Sequence, residues 1–392
     1  MIDLQAIRDD FEQHGERIYF NAGLVGFPAH SVWEKTQHFY RRLHYVSESE
    51  YFQLSEELSA LWDSAAPQFL SCSASEVTGV PNTTFGMNLI TQALPWQRGD
   101  NVVINALEFM SQNIAFQHFQ KQLGFEIRVA DRQGWAVPAE KIIEMIDERT
   151  RLVALSHVAF VNGYRHDVAE IARAAHAHGA YVAVDAIQSL GPLVVDVAEL
   201  GADFLTGGSS KWMMSLPGWG LLYVRKAIID KLRQPVAGFL GLENPEQAIA
   251  DWCDGFDFVK NYKITNDRID KFRVSTENIL AKISLAYSMK NYLSIGRDAI
   301  EAHILDLSGY LMDLLEERGH ALRTIKARNR RSGIVNFVPR ADRPDFQHEL
   351  EKQRIFVSRR GGGIRVSLHL YNSREEVEHF VEVVDKLCES NS

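Results

Sequence analysis

The stretch that decides the fold is Ala180-Tyr181-Val182-Ala183-Val184-Asp185-Ala186-Ile187-Gln188, an apolar run that passes through a carboxylate. A short apolar run rich in valine is typical of a buried strand, and it places Asp185 at the carboxyl end of that strand. A second stretch follows in the chain, Thr206-Gly207-Gly208-Ser209-Ser210-Lys211-Trp212. Taken alone, an aspartate at a strand end more often caps a turn or helix, and a lysine is more often a solvated surface charge.

The pair Asp185 and Lys211 also suits a cofactor that carries a pyridine ring and an aldehyde. The aspartate can keep the ring nitrogen protonated while the lysine forms an imine with the aldehyde. This interpretation depends on whether the rest of the chain supplies a site around the two residues.

Strands and helices alternate through the first half of the chain. Apolar runs predict strands at 101–104, 126–129, 152–156 and 181–185, with helices that start at Ser111, Pro138 and Asp167. This alternation predicts an α/β fold with a mostly parallel sheet and helices on both faces. Ligands of such sheets bind at the carboxyl ends of the strands. We therefore expect one cleft to collect residues that follow strands: Thr83, Thr84, Phe109, Phe160, Asp185, Gln188, Ser209, Ser210 and Lys211.

Asn82-Thr83-Thr84 connects a short predicted strand to a helix with apolar residues at Met87 and Ile90. Hydroxyl side chains at this position are ordinarily helix caps. The free N–H groups and the positive end of the helix dipole also make such a turn suitable for a phosphate. Both interpretations stay open from the residues alone.

The remaining segments predict three parts in the chain. Residues 1–30 form an arm, whose apolar piece at 18–28 either packs on a neighbouring domain or lines a site with Asn21. Residues 31–270 form the large domain, with a helix capped by Ser31, another at 54–69, and a long irregular connection at 233–270. Residues 271–392 form a smaller α+β domain, with helices from Thr276 and Asp298 and a tail of strands and helices.

Composition limits the classes of function. The chain has 392 residues, 46% hydrophobic and 24% charged, and a net charge of −9. A mildly acidic protein does not favour a nucleic-acid partner. No run approaches the ~20 apolar residues of a membrane span, and the start has no secretory pattern, so we expect a cytoplasmic protein without a membrane partner. Cys72, Cys253 and Cys388 are too sparse for a disulfide framework or a zinc site, and no metal is expected.

The motifs together resemble the class V aminotransferase family of pyridoxal 5'-phosphate (PLP) enzymes of fold type I, which includes cysteine desulfurases and isopenicillin N epimerase-like proteins. The resemblance covers nearly the whole chain. It is carried by five stretches in order: 82–88, 184–188, 209–212, 272–278 (Phe-Arg-Val-Ser-Thr-Glu-Asn) and 363–372 (Gly-Ile-Arg-Val-Ser-Leu-His-Leu-Tyr-Asn).

The resemblance implies a role for each matching residue. Lys211 carries the Schiff base with PLP and moves the substrate's Cα proton, while Asp185 keeps the pyridine nitrogen protonated. Arg365 binds the substrate's α-carboxylate, although a structural salt bridge is its alternative role. The other implied cofactor contacts are Thr83, Thr84 and Ser209 at the phosphate, Ser210 where many relatives have a histidine, Phe109 stacked on the ring, Gln188 at the ring oxygen, and Thr276 at the phosphate of the neighbouring subunit of a homodimer. Asn21 of the arm is expected to bind the substrate.

Two positions depart from the family. Desulfurases carry a nucleophilic cysteine shortly before the arginine, and the segment 356–363 has none. Phe160 stands where many relatives have an asparagine, with Asn162 two positions later. We therefore expect an aminotransferase acting on an amino acid. A C–S lyase that acts by β-elimination, an amino-acid epimerase and an inactive scaffold of the same fold are the alternatives. His157 and His369 are expected to be packed rather than catalytic.

Overall fold

The structure is a computed structural model that describes residues 2–11, 17–255 and 262–389. Its strands are β1 (Ile18–Tyr19), β2 (Val77–Val80), β3 (Asn101–Asn105), β4 (Glu126–Ala130), β5 (Thr150–Ser156), β6 (Tyr181–Asp185), β7 (Phe204–Gly208), β8 (Gly220–Val224), β9 (Ala321–Leu322), β10 (Ile334–Val338), β11 (Ile355–Phe356), β12 (Ser358–Arg360) and β13 (Gly363–Ser367).

The α-helices are α1 (Leu4–Asp9), α2 (His30–Arg41), α3 (Glu48–Leu70), α4 (Thr83–Ala93), α5 (Met110–Leu123), α6 (Ala139–Ile143), α7 (Val168–Ala177), α8 (Val197–Leu200), α9 (Pro245–Asp254), α10 (Ile279–Ile295), α11 (Arg297–Glu317), α12 (Phe346–Lys352) and α13 (Arg374–Glu389). Short 3-10 turns lie at Ala74–Glu76, Lys226–Lys231, Phe239–Gly241, Ile269–Phe272 and Arg328–Arg330.

The strand that ends at Asp185 lies in the middle of a seven-stranded sheet of order β2-β8-β7-β6-β5-β3-β4. The strands β7, β6, β5, β3 and β4 pair in parallel, and β8 runs antiparallel to both of its neighbours. The predicted α/β fold with a mostly parallel sheet is confirmed. The carboxyl ends of the parallel strands consequently share one edge.

The two faces of this sheet build two apolar cores. Along β5, Val153 and Leu155 pack into one core with α3 and α7, while Leu152 and Ala154 pack into the other with α4 and α5. A strand covered on both faces reads as a continuous apolar run because neither set of alternate side chains reaches water. This explains why the runs at β5 and β6 were readable in the sequence.

A second sheet, of order β12-β13-β10-β9, is antiparallel throughout. It packs in one apolar core with α11, α12 and α13 through Leu311, Phe346 and Phe380. The N-terminal arm joins this part of the chain, because β1 pairs in parallel with β11 through Ile18 and Ile355. The small α+β part predicted for the C-terminal region is present, and the division at 270/271 stays a prediction.

Several predicted helix bounds were wrong. Helix α2 starts at His30 with Ala29 as its N-cap, and Ser31 instead donates its hydroxyl to Asp10 Oδ2 at 2.6 Å. Helix α10 starts at Ile279, capped by Asn278, rather than at Thr276. The region predicted as irregular contains α9, and part of that region lies outside the described residues. Within the described ranges, no helix has the length and apolar character to cross a membrane.

Candidate active site

A cavity of about 180 Å³ lies at the carboxyl edge of the large sheet. It receives residues from the ends of several strands and from the first turns of the helices that follow. Its walls include six residues predicted for the site: Thr83, Thr84, Phe109, Asp185, Ser210 and Lys211. The remaining walls are Asn82, Met87, Ser111, Gln112, Ile187 and Gly208. The sheet therefore brings together the stretches at 82–88, 184–188 and 209–212.

Asp185 and Lys211 form an electrostatically coupled pair in this cavity. Burial raises the pKa of Asp185 to about 6, an effect opposed by the N–H of Ile187, which donates to Oδ1 at 2.9 Å, and by the charge of Lys211. Burial lowers the pKa of Lys211 to about 8, opposed by the charge of Asp185 and reinforced by Arg365 and Arg360. Near neutral pH the carboxyl is mostly ionised, and a useful fraction of the amine is neutral.

The backbone after Lys211 is held by side chains from distant elements. The carbonyl of Trp212 accepts from the Tyr292 hydroxyl and lies 2.9 Å from His369 Nε2, and the carbonyl of Met213 accepts from Ser288. Burial lowers the pKa of His369 to about 4, so its ring is neutral and acts as a packed hydrogen-bonding group. The lysine therefore projects from a rigid turn.

The N-terminal arm also contacts the lysine loop. Gly26 N–H donates to the carbonyl of Ser210 at 2.8 Å. A Cβ atom at Gly26 would lie 2.1 Å from the carbonyl oxygen of Lys211. Only glycine permits this approach, so the arm is built to pack directly on the loop that carries the lysine.

The N-terminus of helix α4 also lines the cavity. Asn82 is its N-cap, and Asn82 Oδ1 accepts from the N–H of Phe85 at 2.9 Å. Gly86 lets the helix lie against β7, because a Cβ there would meet Thr206 Oγ1 at 2.1 Å. The first turn of a helix leaves N–H groups without intrahelical partners, and its dipole favours an anion. This wall of the cavity therefore suits a phosphate.

Phe109 and Phe160 connect the cavity to Arg365. The two rings meet edge to face with centroids 5.1 Å apart, and Lys211 Nζ lies 5.8 Å from the Phe109 centroid. Arg365 is 1% exposed and donates from Nη1 to the carbonyl of Phe160 at 2.9 Å. The residue in the place of the usual asparagine thus positions both a cavity wall and the arginine. Asn162 instead bonds the carbonyls of Trp135 and Arg323, which makes it a structural residue.

Glu108 is an active-site neighbour that the sequence did not identify. It is buried directly before Phe109 and accepts hydrogen bonds from Ser156 and Asn105. Burial raises its pKa to about 7, the bonds from Ser156 oppose this, and the charge of Asp185 adds to it. The sequence offered one signal, a glutamate directly before an aromatic residue that follows a strand, but nothing in the sequence shows that this glutamate is buried.

Gln112 was also missed. It lines the cavity and is 3% exposed, yet neither amide atom has a hydrogen-bond partner among the described residues. A buried amide without partners is costly unless a ligand supplies them. The position of Gln112 one turn into α5, next to Phe109, was the only hint in the sequence.

Six residues predicted for the cleft or the site do not line this cavity: Asn21, Phe160, Gln188, Ser209, Thr276 and Arg365. Gln188 accepts from Trp212 Nε1 at 2.6 Å and donates to the carbonyl of Gly23, and Ser209 donates to the carbonyl of Leu216. Asn21 accepts from Ser358, and Thr276 is exposed. Within the described ranges no cluster of His, Cys, Asp or Glu could hold a metal.

Residues 27–380 match the family model of class-V aminotransferases. The chain belongs to the class-V aminotransferase family. It is 28% identical to a probable cysteine desulfurase of Pyrococcus abyssi, over 98% of this chain and 97% of that protein. The apo structure of the cysteine desulfurase of Thermococcus onnurineus superposes with a TM-score of 0.88 at 25% identity, covering 100% of this chain and 99% of that one.

A variant of the enzyme C-DES, with glycine covalently linked to its PLP cofactor, has the same fold. Its TM-score is 0.85 at 21% identity, and the match covers 96% of this chain and 98% of that one. Class-V aminotransferases depend on PLP, so the chain is a PLP-dependent enzyme of the transferase or lyase type. The cavity fits this cofactor, because it combines an amine, a buried carboxyl, a helix N-terminus and the unpaired amide of Gln112.

Proposed function

We propose that this class-V enzyme is an aminotransferase that removes the Cα proton of an amino acid with Lys211 as its base. One observation carries the proposal: Lys211 and Asp185 line a single cavity together with the N-terminus of α4. The spacing of a lysine, an acid and an anion site around one small cavity suits a phosphorylated pyridine aldehyde.

Each wall of the cavity then has a task. Thr83, Thr84 and Ser210 hold the phosphate at the N-terminus of α4, with the amide of Gln112 as an additional donor. Ser209 holds the backbone next to Ser210 in place, because its own hydroxyl donates to the carbonyl of Leu216. Phe109 covers one face of the ring.

Asp185 and Lys211 carry the chemistry. The ionised carboxylate of Asp185 holds a proton on the ring nitrogen, and PLP when bound supplies the electron sink that stabilises the carbanion at Cα. Lys211 accepts the Cα proton, since a pKa of about 8 leaves its amine partly neutral at physiological pH. Arg365 holds the α-carboxylate. Gln188 supports the loop of Lys211 through its bond with Trp212, and Asn21 supports β12, the neighbour of the strand that carries Arg365, through its bond with Ser358.

The cysteines favour transamination over desulfuration. Segment 356–363 lacks cysteine, and Cys72, Cys253 and Cys388 lie ahead of β2, in α9 and in α13, away from the cavity walls. An enzyme-bound persulfide cannot form without a cysteine thiolate near the substrate. A C–S lyase is the second candidate, since it needs no cysteine and the relative from Pyrococcus abyssi is a probable cysteine desulfurase.

A homodimer completes the proposal. Apolar side chains are exposed beside the cavity on α4, α5 and the arm, namely Phe85, Met110, Ile114, Leu24 and Val25. A cluster of this kind is typical of a protein interface. We expect Thr276 of each subunit to reach the phosphate of the other. Light scattering should give about twice the chain mass of 44.5 kDa, and a monomer at micromolar concentration would contradict this arrangement. The cytoplasmic location also stays a prediction.

The reaction is tested by incubating the holoenzyme with a panel of amino acids, with and without a 2-oxo acid acceptor. Without an acceptor an aminotransferase makes at most one equivalent of oxo acid per active site, because the amino group stays on the enzyme, so continued conversion needs the acceptor. Pyruvate and sulfide released from cysteine derivatives without an acceptor would establish the lyase instead. Lys211→Ala should abolish the visible absorbance of the bound cofactor and lower turnover by at least about 10³-fold. Unchanged turnover in that variant would refute the proposal.

A further inference from the structure

The hairpin β12–β13 presents two arginines on one face. Ser358 pairs with Arg365, and Arg360 pairs with Gly363. Side chains of paired residues point to the same face, and alternate residues of one strand share a face. Arg360 and Arg365 are therefore diagonal neighbours on the face that contacts Phe160. Diagonal neighbours in antiparallel strands lie about 7–8 Å apart, within reach of long side chains.

The adjacent Arg359 points to the other face and is neutralised there. Its two terminal nitrogens bind the two carboxylate oxygens of Asp342 at 2.9 and 2.5 Å. Arg360 has no such partner: it donates to the carbonyl of Arg359 at 2.7 Å and forms no ion pair with any residue that the structure describes. Arg365 likewise bonds only a carbonyl, that of Phe160, within the described chain.

The charge of Arg360 reaches the active site. It lowers the pKa of Lys211, and after burial it is the cause that lowers the pKa of Arg365 to about 10. Three cations, Lys211, Arg360 and Arg365, thus act on one another, and Asp185 is the acid whose charge acts on Lys211. The α-carboxylate of an ordinary amino acid neutralises one guanidinium and leaves the other uncompensated.

We propose that Arg360 binds a second carboxylate of the substrate, so that the enzyme takes an acidic amino acid or the corresponding 2-oxo dicarboxylate. The inference rests on the proposed function, in which Arg365 holds the α-carboxylate. A single planar guanidinium matches the two oxygens of a carboxylate. The position of Arg360 opposite Gly363 keeps its side chain free of a cross-strand neighbour.

Calorimetric titration of the holoenzyme with succinate and with propionate tests this assignment without turnover. The two probes differ by one carboxylate. We expect wild type to bind succinate at least about tenfold more tightly than propionate. Arg360→Gln should remove this difference and leave propionate binding unchanged. Arg360→Lys keeps the charge and loses the planar fork, so its succinate affinity should fall between those of Arg360→Gln and wild type.

Arg359→Gln is the matched control, because the neighbouring arginine faces Asp342 and should not affect either probe. Equal affinity for succinate and propionate in wild type would overturn the inference, as would the same loss in Arg359→Gln and Arg360→Gln. Tighter binding of 3-phosphonopropionate than of succinate would overturn the assignment to a carboxylate. If the succinate and propionate titrations contradict these expectations while amino acids still shift the absorbance of the bound cofactor, only the role assigned to Arg360 is refuted. If no amino acid shifts that absorbance, the proposed function is lost.

Discussion

Glu108 accepts two hydrogen bonds from Ser156, one from its N–H at 2.8 Å and one from its hydroxyl at 2.6 Å. Ser156 is the register partner of Asp185, and Glu108 directly precedes Phe109. One buried carboxyl therefore ties the segment after β3 to the ends of β5 and β6. This contact fixes Phe109, which lines the cavity, relative to Asp185, which is the acid of the cavity.

Replacing Glu108 should separate hydrogen bonding from charge. In Glu108→Gln the amide oxygen still accepts from Ser156 and Asn105, and the Ser156 hydroxyl can rotate to accept from the amide nitrogen. We expect a loss of unfolding free energy within about 1 kcal/mol at pH 5. Glu108→Ala leaves buried donors unpaired and should cost about 2–4 kcal/mol. Urea unfolding measures both, and equal losses would mean that the bonds contribute little.

The difference in stability between wild type and Glu108→Gln should depend on pH. Folded Glu108 keeps its proton up to about pH 7, whereas the unfolded carboxyl loses it near its ordinary value of 4.5. A raised folded pKa of an acid means that wild type loses stability as the pH rises through this window. Glu108→Gln lacks that loss, so its stability relative to wild type should rise between about pH 4.5 and 7, by about 3 kcal/mol at most.

The amine of Lys211 should titrate near pH 8 after PLP is removed. Trinitrobenzenesulfonate reacts with neutral amines, so its reaction with Lys211, followed by mass spectrometry of the labelled peptide, should have a midpoint near 8 rather than 10.5. Because the charge of Asp185 raises the pKa of Lys211, Asp185→Asn should lower this midpoint. A midpoint that stays the same or rises in Asp185→Asn would contradict the coupling. Lys211→Ala identifies the labelled peptide.

The cap of α4 should matter to the cofactor as well as to the fold. Asn82→Ala removes the acceptor for Phe85 N–H and should cost about 1 kcal/mol of stability. Since Asn82 lines the cavity, PLP affinity should also fall severalfold. Ser47→Ala removes the N-cap of α3, where Ser47 forms a capping box with Glu50, and offers a control of similar cost. Thermal unfolding should show a similar loss of stability in the two variants, whereas PLP titration should show a lower affinity only in Asn82→Ala. An equal loss of PLP affinity in both variants would contradict this prediction.

The sequence predicted the parts of the site that depend on strand order. Apolar runs such as β6 are visible because both faces of the sheet are covered, and the residues after them meet since parallel strands end at one edge. Thr83, Phe109, Asp185 and Lys211 were placed together by this reasoning. The antiparallel direction of β8 was not predicted, because a five-residue apolar run does not specify the direction in which a strand pairs.

Burial explains what was missed. Glu108 and Gln112 look like surface residues in the sequence, but the structure buries Glu108 against Ser156 and Asn105 and Gln112 in the cavity wall. Ser209 is adjacent to Ser210, yet alternation along the chain directs it to Leu216. Arg359 and Arg360 are identical residues in sequence, and the hairpin register places Arg359 on the face of Asp342 and Arg360 on the face that carries Arg365.

The pairing of β1 with β11 has a consequence for the order of folding. The arm that packs on the lysine loop is synthesised long before its partner strand, β11. At about 5–20 residues per second, the arm waits tens of seconds on the ribosome before that strand exists. Contacts of such long sequence separation also form slowly after release. The contact of the arm with β11 therefore becomes available only after all seven strands of the large sheet have been synthesised.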